Sequence, residues 1–163
     1  MPTTRWAKII MAAGLALFAL IAALNNLIDY GSNFQFVKHV MSMDTTFEGN
    51  ALMHRAITRE WAWHLAYAAI ILAQALMFVL LALGSLRLYR QRRSAASAFN
   101  AAKGPAIAGA TLGFVIWFVG MMVIGGEWFA MWQSETWNGQ PAAARFTLVI
   151  LAVLIFLNQA DTD

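Results

Sequence analysis

Residues 61–86 read WAWHLAYAAIILAQALMFVLLALGSL, and this stretch decides the fold. It contains no Asp, Glu, Lys or Arg, and it exceeds the ~20 residues that an α-helix needs to cross the hydrocarbon core of a bilayer. Three further apolar runs lie at residues 6–27, 105–126 and 142–157. The four runs predict an all-α polytopic membrane protein with four transmembrane helices.

Composition supports this prediction. Of 163 residues, 61% are hydrophobic and 12% are charged, a balance that does not suit a water-soluble monomer. The four spans and their connections use the whole length, so we expect one domain over residues 1–163. The absence of cysteine excludes disulfides, thiolate metal sites, iron–sulfur clusters and a cysteine nucleophile.

Basic residues are concentrated before the first span and between the second and third spans. They are Arg5, Lys8, Arg87, Arg90, Arg92, Arg93 and Lys103, with no acid among them. The positive-inside rule therefore places these segments and both termini in the cytoplasm, and the connections 29–60 and 127–141 in the periplasm. The acidic tail, Asp161 and Asp163, does not alter that count. We interpret the basic segments as an orientation signal, able to rest against anionic lipid headgroups, and not as a nucleic-acid site.

Small residues recur on one face of three spans. The sets are Ala12, Ala16, Ala19 and Ala23; Ala62, Ala66, Ala69 and Ala73; and Ala106, Ala110 and Gly113, which lead to Trp117. Lipid provides no hydrophobic drive between helices, so close approach over small residues is how such bundles gain contact. We expect an Ala/Gly-packed bundle in which the Gly109/Gly113 pair packs within the chain, with a dimer face as the alternative.

Few polar residues lie deep in the spans, and none in their central parts is Asp, Glu, Lys, Arg or His. Gln74 is the most polar deep residue, and we expect it to bond to Thr111 or Thr147 of a neighbouring helix, or to mark a substrate path. Asn25 and Asn26 follow the first apolar run, where a helix end needs hydrogen-bond partners. A capping role is expected for both.

The first periplasmic connection contains an amphipathic pattern. Ser32 and Gln35 have the spacing of a capping box, and residues 33–43 separate into an apolar half, with Phe36 and Val40, and a polar half. We expect an interfacial helix that lies on the bilayer or roofs the bundle. Asn50 is positioned to cap a second helix over residues 51–60.

Histidine and methionine cluster in this connection. Candidate ligands for a copper ion are His39 and Met43, and haem could be held by His54 or His64, because imidazole and thioether groups suit such metals. On a helix, however, Met41 points away from His39, and His54 and His64 do not share a face. We therefore predict no metal site and no required cofactor.

Aromatic residues mark the periplasmic boundary, since indole prefers the headgroup layer. They are Trp61, Trp63, Trp128, Trp132 and Trp137. The belt could anchor the bundle, bind a partner or line an amphiphile pocket. Glu127 and the tryptophans of the second connection suggest a binding surface, between a helix break at Gly125-Gly126 and a turn at Asn138-Gly139.

Two stretches, residues 25–47 with NNLIDYGSNF and MDTTF, and residues 126–140 with GEWF, WQS and WNGQ, resemble the signature segments of a bacterial family of predicted small integral membrane proteins. The resemblance spans nearly the whole chain. It implies four transmembrane helices and a location in the bacterial inner membrane, and it implies no catalytic residues.

Three hypotheses remain from the sequence. The leading one is a non-enzymatic accessory or scaffold subunit that binds a larger membrane complex, or a second copy of itself, through Trp128, Trp132 and Trp137. The second is a lipid- or quinone-binding protein that holds an apolar ligand under residues 33–43. The third is a periplasmic copper or haem site.

Overall fold

The computed structural model describes residues 2–162, which form helices and connecting turns without a β-strand. Four helices are long and apolar enough to cross a membrane: Thr3–Ile28, Glu60–Arg90, Ala96–Trp128 and Gln140–Asn158. The predicted all-α fold with four spans is confirmed. Each helix extends beyond the predicted apolar run, because polar and charged residues at its ends continue the helix.

The elements in chain order are α1 (Pro2–Ile28), α2 (Tyr30–Ser42), α3 (Glu60–Arg90), α4 (Ala96–Ala101), α5 (Gly104–Phe114) and α6 (Gln140–Asn158). A π-helical segment, Val115–Trp128, continues α5, and 3-10 turns lie at Met53–Arg55 and Met131–Gln133. We call the end of the bundle with residues 3–8, 91–103 and 159–162 the terminal face. The opposite end, with α2 and the connections 43–59 and 129–139, is the loop face.

Helix α3 lies between α1 and α5, and α6 packs on α5 and the π-helical segment. Two of the predicted small-residue stripes are buried: Ala12, Ala16, Ala19 and Ala23 of α1, and Ala106, Ala110 and Gly113 of α5 with Trp117. Small side chains therefore form the contact surface of both helices that flank α3.

The stripe predicted for the second span is wrong. Ala62, Ala66 and Ala73 are only partly buried and Ala69 is exposed. The buried face of α3 consists of Tyr67, Ile71, Gln74, Met77, Leu81, Gly84 and Leu88. The physical reason is the central position of α3, whose larger side chains fill the space left by alanines on α1 and α5.

Glycine sets the closest approach between α3 and α5. A Cβ atom on Gly84 would lie 2.6 Å from Cα of Ala106, closer than side chains tolerate. On α5, Cβ atoms at Gly109 and Gly113 would lie 2.7 Å from side-chain atoms of Leu81 and Met77. The Gly109/Gly113 pair thus packs within the chain, as expected.

The predicted helix break at Gly125-Gly126 is absent. The π-helical segment continues through both glycines to Trp128, and both are buried. A Cβ atom on Gly126 would lie 2.9 Å from Cδ of Gln140 at the start of α6. These glycines therefore allow close packing rather than ending the helix.

The amphipathic helix is confirmed with different limits, Tyr30–Ser42, and without the predicted capping box. The N-cap is Asp29, which makes no side-chain capping bond, so Ser32 lies inside the helix. The predicted second helix, residues 51–60, is wrong as well. Beyond the turn at Met53–Arg55 the chain extends, because Ile57 N bonds to Met41 O at 2.8 Å and ties this segment to the end of α2.

Candidate functional site

Helix α2 lies across the loop-face half of α3. Its one fully buried residue, Val37, packs with Tyr67 and Ile71 of α3, and Phe34 and Phe36 complete the contact. The apolar half of the amphipathic pattern thus faces the bundle. Of the two expected positions, the structure shows the helix covering the bundle.

Amide groups bond to each other beneath this cover. Asn26 Nδ2 donates to Gln74 Oε1 at 2.7 Å, and the Tyr67 hydroxyl donates to Asn26 O at 2.9 Å. The expected bond from Gln74 to a threonine is wrong: Thr111 donates to Ile107 O of its own helix, and Thr147 Oγ1 has no hydrogen-bond partner among the described residues. Asn26 does not act as the expected cap, because α1 brings it beside α3.

Two cavities adjoin this amide pair. The first, which we call the open cleft, has a volume of about 570 Å³ and is lined by Phe18, Ile21, Ala22, Asn25, Asn26, Ile28, Asp29, Asn33, Gln74, Trp117 and Phe146. The second, the amide pocket, has about 210 Å³ and shares Asn26, Asn33, Gln74 and Trp117 with the cleft. Polar groups of α1, α2 and α3 therefore converge between the two cavities.

Three aromatic rings line the open cleft. Phe18, Trp117 and Phe146 come from α1, the π-helical segment and α6, with ring centroids 5.0–5.8 Å apart. They separate the polar groups of the cleft from the aliphatic contact of α1 with α6. The lining of the cleft therefore combines polar side chains with a cluster of aromatic rings.

A third cavity, the apolar pocket, lies between α2, α3 and the π-helical segment. Its volume is about 430 Å³, and its lining includes Phe36 and Val40, two of the predicted ligand-contacting residues, together with Met41, Met121 and Met131. Methionine side chains are flexible and polarisable, so they adapt to ligands of irregular shape. Phe36, Val37, Ile70, Gly120 and Met121 line both this pocket and the amide pocket.

The π-helical segment contributes lining residues to all three cavities. Every residue that the third span contributes to them, between Ile116 and Gly125, lies in this segment. Long π-helical runs are rare, and π-bulges occur frequently at functional sites. The π-helical segment therefore occurs in the part of the third span that lines the cavities.

A second polar cluster flanks the amide pocket. The Tyr30 hydroxyl lies 2.7 Å from His64 Nδ1, and Phe34 stacks on the His64 ring with centroids 4.2 Å apart. Glu60 approaches the other imidazole nitrogen at 3.8 Å. Tyr30 also packs edge-on against Tyr67, so this cluster contacts the residue that bonds to Asn26.

The predicted tryptophan site divides into two groups. Trp63 and Trp137 are partly buried: the Trp63 indole donates to Ile57 O, and Trp137 stacks on His39. The others are more open, Trp61 at 67%, Trp128 at 53% and Trp132 at 48% exposure. Glu127, beside Trp128, is exposed as well.

The candidate metal ligands have separate partners. His39 Nδ1 bonds to Asp44 at 2.8 Å, His54 Nδ1 lies 3.2 Å from Ala51 O, and His64 pairs with Tyr30. Met43 is buried beside Phe129. Among residues 2–162, no three His, Cys, Asp or Glu side chains form a group able to hold a metal ion.

The terminal face carries an ion cluster that the sequence interpretation missed. Lys8 Nζ and Lys103 Nζ lie 2.6 and 2.5 Å from the same carboxylate oxygen of Asp161, and all three side chains are at most 5% exposed. Both ammonium groups also donate to Gln159 O. The interpretation of these lysines as orientation signals alone is therefore incomplete.

Asn100 holds the backbone of Asp161 on both sides. Its Nδ2 donates to Asp161 O at 2.9 Å, and its Oδ1 accepts from Asp161 N at 3.0 Å. Burial disfavours the Asp161 carboxylate, but hydrogen bonds from Lys103 and Lys8 outweigh this effect and hold its pKa below the usual value. Asp163 lies outside the described residues.

The residues that sequence interpretation missed carried partial signals. Asn33 is a polar residue on the apolar half of the amphipathic pattern, the side that carries Phe36 and Val37. Asp29 stands at the junction of α1 and α2, where a turn explains it equally well. Lys8 lies two residues after the start of the apolar run 6–27, a position that costs free energy unless a partner is present. That partner, Asp161, is 153 residues away in the chain, and no local pattern identifies it.

The family model described as "Predicted small integral membrane protein (DUF2165)" matches residues 4–160. No curated protein and no solved structure matches the chain.

Proposed function

Because the chain belongs to this family of predicted small integral membrane proteins, we propose that it binds a ligand from the membrane at the loop face. The proposed ligand is an amphiphile, either a phospholipid or a quinone. The observation that carries this proposal is the shared wall of amides between the open cleft and the amide pocket. Asn26 and Gln74 bond to each other, and each amide group has further donor and acceptor capacity that a ligand with a polar head can use.

The cavities suit the two ends of such a molecule. Asn25, Asn33 and Asp29 stand at the cleft and provide donors and acceptors for a headgroup, whereas the apolar pocket accepts a hydrocarbon chain. Volumes of about 570 and 430 Å³ lie in the range of small-molecule sites. The amide pocket adjoins both.

Charge restricts the headgroup. No described residue that lines the cleft or the amide pocket is Lys or Arg, and Asp29 contributes a negative charge. An anionic headgroup would be repelled there, so the proposed ligand is neutral or zwitterionic. The positive-inside rule further supports a loop face on the periplasmic side of a bacterial inner membrane, with the ligand in the outer leaflet.

Filling the cavities tests this proposal. Gly120 lines the amide and apolar pockets, and a Cβ atom there meets only Val115 O at 3.7 Å. Gly120→Leu is therefore expected to fold and to reduce the amphiphile retained on gentle purification by about tenfold, measured by native mass spectrometry and lipid extraction. The matched control is Gly31→Leu, where an added side chain meets open space outside these cavities.

Equal retention by both variants and the unmodified chain would contradict the proposal, since it would show lipid held elsewhere on the bundle. Loss in both would show general disruption of the loop face. Asn33→Leu adds a test of the headgroup, because it removes an amide from the wall that the cleft and the amide pocket share. It is expected to weaken binding without filling a pocket.

A second function, attachment to a larger membrane complex or to a second copy, is favoured by the exposure of Trp128 and Trp132. Trp128 is the last residue of the π-helical segment and Trp132 lies in the second 3-10 turn. Tryptophan is enriched at interface hot spots. Trp137, the third predicted anchor, is partly engaged with His39 and contributes less open surface.

Replacing both Trp128 and Trp132 with alanine is expected to release a co-purifying partner. Truncation of a hot-spot residue weakens the binding free energy by at least ~2 kcal/mol. Quantitative pull-down from detergent extracts, with Trp6→Ala at the terminal face as control, measures this. A partner retained at unchanged yield by the double variant would refute the docking role. The amphiphile proposal would stand, since neither indole lines its cavities.

A further inference from the structure

We propose that Lys8 and Lys103 form an anion-binding site on the terminal face, which the chain fills with its own Asp161 carboxylate and for which a phosphate group can compete. The phosphate could be free or part of an anionic lipid headgroup. This site is at the opposite end of the bundle from the amphiphile cavities and does not depend on them.

The geometry requires an anion between the two lysines. Both ammonium groups lie within 2.6 Å of one Asp161 oxygen, and neither side chain is more than 5% exposed. Two positive charges at such separation, buried from water, repel each other strongly unless a negative group lies between them. A conformation without Asp161 in place would therefore recruit another anion.

The surroundings add donors and restrict water. Asn100 Nδ2 is a further donor beside the two lysines, and it donates a hydrogen bond to Asp161 O. The rings of Phe156 and Phe99 lie 5.4 and 5.7 Å from Lys8 Nζ and Lys103 Nζ. Two ammonium groups and an amide donor within partly apolar walls match the several acceptor oxygens of a phosphate.

The tail can leave at small cost in apolar burial. Helix α6 ends at Asn158, and beyond it Gln159, Ala160 and Thr162 are exposed. Polar bonds to Lys8, Lys103 and Asn100 hold Asp161. Replacement of the carboxylate by phosphate therefore exchanges one set of charge-assisted bonds for another.

Basic residues beside the site favour anions at this face. Arg5 Nη1 donates to Ser94 O at 2.6 Å, which places the connection after α3 against the first turns of α1. Arg90, the last residue of α3, and Arg93 in that connection are exposed. Exposed basic residues at a membrane surface attract anionic headgroups.

Rescue of a tail variant tests the proposal. The Asp161→Ala variant removes the carboxylate that fills the site. Its thermal unfolding midpoint in detergent is measured in phosphate buffer and in a chloride solution of equal ionic strength. We expect phosphate to raise the midpoint of this variant by about 2–4 °C and that of the unmodified chain by less. A parallel arm compares nanodiscs of phosphatidylglycerol with nanodiscs of phosphatidylcholine.

Rescue by inorganic phosphate supports a soluble ligand, and rescue by phosphatidylglycerol alone supports a lipid headgroup. Rescue must disappear in Lys8→Met/Lys103→Met/Asp161→Ala and persist in Arg90→Gln/Asp161→Ala. No rescue by either anion, or rescue that survives loss of both lysines, overturns the proposal. If Asp161→Ala does not fold, Asp161→Asn replaces it, because it removes the charge and keeps the side-chain shape.

Discussion

Gly84→Ala is expected to destabilise the bundle by about 2 kcal/mol, the typical cost of adding a methyl group to a filled core. The new Cβ atom would lie 2.6 Å from both Cα and Cβ of Ala106. The obstacle includes backbone, so the two helices must move apart instead of one side chain changing rotamer. Thermal unfolding in detergent, followed by circular dichroism, measures the effect.

Two further glycines provide a graded control. At Gly113 the closest atom is the flexible end of Met77, at 2.7 Å, so Gly113→Ala should cost less than Gly84→Ala. At Gly14 nothing lies within 4 Å, and alanine there should leave stability unchanged or raise it by up to ~1 kcal/mol through helix propensity. Equal stability of the Gly84 and Gly14 variants would disprove a close α3–α5 approach.

Asp161→Asn is expected to destabilise the protein by about 3 kcal/mol near neutral pH, because it leaves two buried lysines without their shared carboxylate. The amide keeps the size of the side chain, so the loss reports charge and not packing. The matched control, Glu135→Gln, removes an acid from an exposed position on the loop face and should have almost no effect. Both are compared with the unmodified chain by thermal unfolding in detergent.

The Asp161→Asn variant also tests how the stability of the protein depends on pH. The folded protein holds the Asp161 pKa below its usual 3.8, so the stabilisation is complete above pH 3.8 and is lost as the pH falls through the lowered value. The unmodified chain should therefore lose stability in acid, and Asp161→Asn should lose less. Parallel acid curves for both proteins would show that folding does not lower the pKa of Asp161.

Periodicity and charge predicted much of the architecture because each transmembrane helix must satisfy its own backbone hydrogen bonds in lipid. A run such as residues 61–86 therefore specifies a helix without reference to the rest of the chain. The stripe Ala12, Ala16, Ala19 and Ala23 was identified correctly from its spacing, and all four alanines are buried.

Local patterns were wrong where a residue has a competing tertiary contact. The alanines of the second span follow the same spacing as those of the first, yet α3 is central and buries Tyr67 and Met77 instead. Ser32 has capping-box spacing, but α2 begins at Tyr30 because α1 and α2 are separated only by Asp29. The extended segment at Ile57 depends on its bond to Met41, which no local propensity contains.

The candidate sites were visible from sequence only in part. Phe36 and Val40 were expected to face an apolar ligand, and both line the apolar pocket. Gln74 was recognised as the unusual deep polar residue, but its partner Asn26 was assigned to a helix cap. Predicting the hydrogen bond between Asn26 and Gln74 requires the distance between α1 and α3, which hydropathy does not provide.

The amino-acid sequence by itself determined the four spans, the family and the amphipathic helix, because each rests on composition or on residues near one another in the chain. Tertiary structure alone decided that amides from α1, α2 and α3 meet beside three adjoining cavities, and that Lys8 and Lys103 share Asp161. The physical reason is that polar and ionic groups act over a few ångströms in space. Helix packing, and not spacing along the chain, sets those distances.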